Sequence, residues 1–233
     1  MNDMPEQQKE DHRTRVGQER RQKTLDRLIE AAILVFAERG LNGTVIDHVV
    51  SRAGVSRGTF YNYFDTIEDA LETARIALGR EVVLLVKDSA DLSQPPAERI
   101  AHGIHVFIEI ARRNTLFLEF TARLGRRSFS FAAVLCETGP RFISDGIECG
   151  AFQDVPESLI FDMLEVGTIA ILRRIMAGEA VDVEAFVAAM LRVLGLDFES
   201  SVAVAKQAVP QSLPDIPEDS LLARGNAAWL GSH

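Results

Sequence analysis

From residue 6 to residue 94 the chain contains no proline, and nowhere does it alternate apolar and polar residues with the two-residue period of a strand. Proline interrupts a helix by removing a donor and clashing with the preceding turn, so this long window leaves helices free to form. Apolar side chains in it recur at spacings of three and four. Leu25, Leu28, Ile29, Ala32 and Phe36 fall on one helical face, and Gly40 follows as a left-handed cap. The spacing predicts an all-α fold.

Finer signals divide the window. Thr44-Val45-Ile46-Asp47 reads as a Thr-x-x-acid capping pattern and predicts a second helix running to Ala53. Gly54 breaks it. Ser56 is an N-cap for a third, short helix, with Val55 and Phe60 as a hydrophobic staple. That helix ends near Tyr63-Phe64. Asp65 or Thr66 caps a fourth, which runs through Leu71, Leu78 and Val82 towards Asp88. Beyond Pro95-Pro96, helical stretches are expected at about 97–111, 114–124, 128–149, 157–177 and 183–194.

The ends carry less information. Residues 1–20 hold almost no large apolar side chains and are expected to be a disordered arm. Pro210, Pro214 and Pro217 mark residues 209–233 as a Pro-rich tail outside the body. Residues 21–66 and 67–208 then form head and body.

Charge sharpens the division. The chain as a whole carries −9, which disfavours a polyanionic partner. Residues 12–64 nevertheless carry +4, against −3 for residues 1–11 and −10 for residues 65–233. Only the head is suited to meet nucleic acid. With 47% hydrophobic and 25% charged residues, wholesale disorder is excluded. No apolar run approaches the length of a membrane span, and the polar N-terminus lacks the pattern of a signal peptide. The expected setting is the cytoplasm, with Cys136 and Cys149 reduced.

Two short helices joined by Ala53-Gly54-Val55 make a helix-turn-helix. The second presents Ser56, Arg57, Gly58, Thr59 and Tyr61: hydroxyl donors, a guanidinium, a phenol and a glycine that permits close approach. Such groups suit phosphates and base edges in a major groove. Both tyrosines of the chain, Tyr61 and Tyr63, lie here. Phe60 and Phe64 are expected to pack the motif onto the first helix. Arg13, Arg15, Arg20, Arg21 and Lys23 precede that helix and can track a phosphate backbone. A helical hairpin within a bundle is the alternative reading.

The series RLIEAAILVFAERG, TVIDHVVSRAGVSRGTFYNYF and DTIEDAL closely resembles the DNA-binding domain of the tetracycline-repressor (TetR/AcrR) family over roughly residues 21–75. The resemblance implies a homodimeric transcription regulator, not an enzyme. An N-terminal three-helix head binds a palindromic double-stranded DNA operator, and a helical-bundle domain binds a small-molecule inducer and dimerises. It places Thr44 and Arg57 near phosphate, Ser56, Gly58, Thr59 and Tyr61 at the groove, and Asn62 and Tyr63 beside the backbone. The family often has a lysine just inside the fourth helix. Ile67 stands there in this chain, which leaves the helix amides to hold that phosphate. An all-α enzyme and a helical interaction module without DNA binding are the rival classes.

The body gives candidates rather than a ligand. Phe107, Phe117, Phe120, Phe129, Phe131, Phe142, Phe152 and Phe161 can line an apolar pocket for a largely apolar inducer, or pack a core. His102, His105 and Glu109 fall on one helical face and can converge on a polar ligand. Arg123, Arg126 and Arg127 cluster at a helix junction and can meet an acidic one. No cofactor and no metal set is indicated. The stretches 157–177 and 183–194 are expected to form a four-helix dimer interface, with Met163, Gly167, Ala170, Phe186 and Met190 at the contact.

Overall fold

A computed structural model of the chain describes residues 6–124 and 142–232, with side chains from Arg15 onward. Among the described residues there are eleven α-helices and no strand: α1 Glu6–Arg39, α2 Ile46–Ala53, α3 Arg57–Tyr61, α4 Ile67–Asp88, α5 Pro96–Arg113, α6 Thr115–Leu124, α7 Phe142–Glu148, α8 Glu157–Met176, α9 Val183–Val193, α10 Phe198–Gln207 and α11 Leu221–Leu230. The all-α expectation holds.

Local chemistry accounts for most boundaries. Helix α1 stops where Gly40 takes φ 66°, and α2 stops where Gly54 takes φ 63°; both are left-handed positions that cost a Cβ-bearing residue strain. Ser56 caps α3 by accepting from the main chain of Thr59 at 3.0 Å. Thr66, not Asp65, caps α4, and the Asp69 carboxylate in turn accepts from the Thr66 main-chain N–H at 3.0 Å. Pro96 opens α5 at a first-turn position, where its missing donor is not needed.

Three expectations are corrected. The N-terminal arm is helical from Glu6, continuous with the rest of α1. Its Glu, Gln, Lys and Arg residues are good helix formers, and it grows from a nucleus already packed by residues 28–37. Val45, not Thr44, is the N-cap of α2. Thr44 is buried, and its hydroxyl donates back to the carbonyl of Gly40 at 2.7 Å. The His48 ring accepts from the Val45 main chain at 3.3 Å instead. Lastly, the proline-rich tail ends in α11, a helix packed against α1, α4 and α6. Prolines in the segment before it stop the preceding helix without preventing a new one.

Two apolar clusters organise the molecule. The larger runs from Leu28, Phe36, Val49, Phe60 and Phe64 in the first three helices and their connections, through Leu71 and Val82 of α4, to Phe117 of α6 and Trp229 of α11. The smaller gathers Ile100, Phe142, Phe152, Ile160, Val187 and Leu191. Helix α4 therefore begins inside the core of the head and ends against α5, with Leu78, Val82 and Val83 buried along its length.

Candidate nucleic-acid interface and ligand cavity

The helix-turn-helix is assembled from α1, α2 and α3. Phe60 is fully buried, and its ring lies 5.3 Å from that of Phe64. These two rings anchor α3 and leave its other face outward. Arg27 of α1 donates to the carbonyl of Ala53, the last residue of α2, and so fixes the turn from behind. Tyr63 donates from its hydroxyl to the Arg21 carbonyl at 3.1 Å, and the Arg21 guanidinium sits 5.6 Å from the Tyr63 ring centre. Tyr63 thus ties α1 to the recognition segment.

The outward face of α3 carries Ser56, Arg57, Gly58 and Tyr61, all exposed, with Thr59 half-buried and Asn62 exposed at the C-terminal cap. Tyr61 is 53% exposed and stands edge-on to Phe60 at 5.7 Å, so the ring is braced while the phenol is free to reach outward. The Ser56 and Thr59 hydroxyls are 2.9 Å apart. Arg57 makes a two-pronged ion pair with Asp47 of α2. That contact holds the Asp47 carboxyl below the usual carboxylate range and raises the Arg57 guanidinium. Of the eight residues expected at DNA, six lie together on this surface, and Tyr63 is half-buried with its hydroxyl on the Arg21 carbonyl. Thr44 does not join them, because it is buried with its hydroxyl proton committed to Gly40.

Charge extends the surface. Arg15, Arg20, Arg21 and Lys23 are exposed along α1. The side chain of Arg13 lies outside the described residues. Ile67 is partly buried against the larger cluster, so no cation takes its place at the start of α4.

The body holds an apolar cavity of about 100 Å³ between α4, α5, α7 and α8. Of the candidate phenylalanines, Phe107, Phe142 and Phe161 line it. Phe117 and Phe120 do not: both are fully buried in the larger cluster. Phe152 belongs to the smaller cluster, pressed against Gly146, where a Cβ would meet its ring at 2.1 Å. The histidines do not converge. His102 pairs with the Ser89 hydroxyl at 3.3 Å, and His105 with the Ala205 carbonyl at 2.8 Å. Glu109 is engaged by Arg112 and Arg113. Arg123 turns away from the cavity to Glu119 at 2.6 Å. Arg126, Arg127, Phe129, Phe131 and Cys136 lie outside the described residues.

Two groups escaped the sequence reading. Asp47 sits ten positions from Arg57, and only the turn at Gly54 brings them together. Arg99 lines the cavity among aliphatic and aromatic residues. The clue was its place one residue before Ile100 in the apolar period of α5.

The helix-turn-helix, its aromatic anchors and the α4 junction now invite comparison with known proteins. Residues 28–74 match the family model described as bacterial regulatory proteins, tetR family. Over these residues the chain is similar to the tetR family. An HTH-type transcriptional regulator of Mycobacterium tuberculosis is 34% identical over 94 residues, which are 38% of this chain and 44% of the relative. The chain thus matches less than half the length of that relative. In fold, the chain is similar to RolR without ligand, with a TM-score of 0.65 at 24% identity over 83% of this chain and 100% of that one. It is also similar to RolR in complex with resorcinol, with a TM-score of 0.61 at 26% identity over 85% of this chain and 99% of that one. Among the described residues no helix is long and apolar enough to cross a membrane.

Proposed function

We propose that the chain is a ligand-responsive transcriptional regulator, a repressor that binds a palindromic operator as a dimer and leaves it when a small, largely apolar inducer binds. The observation that carries this reading is the position of α4. Its first turns are packed in the head through Ala70 and Leu71, and its later turns line the cavity through Val83 and Val86. A ligand that displaces the wall of the cavity acts on the same rigid element that orients the head.

The DNA contact is assigned to Ser56, Arg57, Gly58, Thr59, Tyr61 and Asn62, with exposed cations of α1 on the flanking backbone. In a dimer, two α3 helices must sit about 34–36 Å apart to enter successive major grooves on one side of the duplex. An inducer that prefers a different separation by about 1–3 kcal/mol changes operator affinity by about 5–150-fold. RolR's complex with resorcinol supports a small aromatic molecule as the kind of ligand such a body takes.

The dimer is assigned to α8 and α9. Leu159, Met163, Val166 and Ala170 recur on one exposed stripe of α8. Phe186 and Met190 of α9 are half-buried, and Phe186 lies against Gly167 of the same chain, where a Cβ would meet its ring at 2.8 Å. Gly167 therefore serves packing within the protomer as well as close approach of a partner. Val166→Glu is expected to give monomers in sedimentation velocity.

The deciding test is fluorescence anisotropy with duplexes from upstream of the chain's own reading frame. A specific, salt-sensitive complex that Tyr61→Ala weakens tenfold or more, by about 1–3 kcal/mol, is expected. Absence of any specific complex would refute the reading, and an unchanged affinity for Tyr61→Ala would refute the groove assignment.

A further inference from the structure

The wall of the body cavity is apolar except at Arg99 and Thr168. Val83, Ile104, Phe107, Phe161 and Leu164 represent its character; Arg99 is the one charged side chain among the described lining residues. The Arg99 side chain is only 12% exposed. Its guanidinium lies 5.0 Å from the centre of the Phe142 ring, a cation–π placement that keeps the charge in position. Its charged neighbour is Asp145, at 3.8 Å from Nη1, which is beyond hydrogen-bond length. The Nε–H is buried with no hydrogen-bond partner. A folded chain does not usually leave such a donor unmet, and the exceptions mark places where a missing partner belongs.

We infer that Arg99 is the anchor for a small aromatic monocarboxylate, held with its carboxylate on the guanidinium and its ring among Phe107, Phe142 and Phe161. This rests on the reading of the cavity as the regulator's ligand site and names the class of ligand it takes. A guanidinium offers parallel N–H groups that match the geometry of a carboxylate's two oxygens. The apolar wall lowers the local dielectric, which strengthens that pair relative to one on the open surface. Phenyl rings favour edge and offset contacts with a bound ring. A cavity of about 100 Å³ suits one ring with a short substituent rather than a long chain. Asp145 opposes the ligand's charge, so it tunes affinity downward and keeps the free guanidinium partly neutralised.

Calorimetry on the full chain tests this with benzoate, phenylacetate and 4-methylbenzoate against benzamide and toluene, alongside release of operator DNA. The carboxylates are expected to bind at least tenfold more tightly than benzamide. Arg99→Met should remove that preference while toluene binding persists, and Arg99→Lys should restore it in part. Asp145→Asn should tighten benzoate binding severalfold. A variant that no longer folds is recognised by circular dichroism, and the wild-type preference and Asp145→Asn then decide the matter. Binding of benzamide or toluene with operator release, but no preference for carboxylates, would overturn the anion anchor and leave the regulator reading standing. Failure of every probe to bind would overturn the assignment of this cavity as well. Carboxylate binding that is insensitive to Arg99→Met would place the anion elsewhere.

Discussion

Glu81, near the middle of α4, accepts hydrogen bonds from the main-chain N–H groups of both Leu221 and Leu222, each at 2.8 Å. One carboxylate thus satisfies two of the free donors at the start of α11, where the helix dipole favours negative charge. Ser220 meets a third, accepting from Ala223 at 3.0 Å. The same helix is tied to α6: Asn114 donates to the Leu222 carbonyl at 3.1 Å, and Asn226 accepts from the Leu116 main chain at 3.1 Å. Arg224 reaches Glu30 of α1. The last helix is therefore a strap across head and body.

Glu81→Ala is expected to destabilise the protein by about 1–3 kcal/mol, the usual worth of hydrogen bonds to a charged group at a helix end. Glu81→Gln, with one acceptor oxygen, should fall between. Trp229 is the only tryptophan and is buried in α11, so its emission reports the strap directly. Urea unfolding followed by that emission gives the energies. A native red shift in Glu81→Ala marks an undocked helix, and an unaltered spectrum and midpoint would dismiss the strap.

The Arg57–Asp47 pair is exposed on both sides, with side chains 64% and 56% accessible, so it contributes little to stability. On the proposed function its effect is expected in DNA binding. Asp47→Asn leaves Arg57 uncompensated beside the groove surface and should raise affinity for any duplex, with the salt dependence steeper by about one phosphate. Arg57→Ala should do the reverse. Anisotropy at four salt concentrations checks both slopes; equal slopes in all three proteins would remove Arg57 from the phosphate contact.

His105 is buried, and burial lowers its pKa below the ordinary histidine value despite the Ala205 carbonyl. Its Nε2 is 2.8 Å from that carbonyl and must carry the proton of the neutral ring. The folded state thus resists a second proton that the unfolded chain accepts below a pKa of about 6.5. Stability from this group is full above that value and is lost as pH falls from it towards the depressed folded pKa. Urea midpoints between pH 7.5 and 5 should fall more steeply in the wild type than in His105→Gln. Parallel curves would contradict the buried neutral ring.

The N-terminal stretch of α1 carries exposed Arg15 and Arg20 beyond the packed part of the helix. Deleting residues 1–20 should leave the unfolding midpoint almost unchanged. It should weaken operator binding and flatten its salt dependence, by about one phosphate for each cation that meets the backbone. An identical salt slope would separate this stretch from DNA.

Most of the head was legible because its signals are local. Gly40, Gly54, Ser56 and Thr66 act through their own backbone or through residues three positions away, so a linear reading finds them. Thr44 shows the limit of that rule. The same pattern offered a cap one residue early, and burial against the preceding helix decided otherwise. In the body, the phenylalanine count promised a pocket without saying which rings face it. Phe107 and Phe117 lie on adjacent helices with ring centres 5.6 Å apart, yet only Phe107 reaches the cavity.

The sequence by itself determined the helical class, the turn of the helix-turn-helix and the placement of basic charge in the first 64 residues, because periodicity, caps and charge are properties of neighbours along the chain. Only the tertiary structure decided that Asp47 meets Arg57, that Arg99 is buried at the cavity wall beside Asp145 and Phe142, and that Glu81 receives a helix 140 residues further on. Those pairings depend on how helices pack. Packing is set by shape and burial summed over the whole core, which no local pattern records.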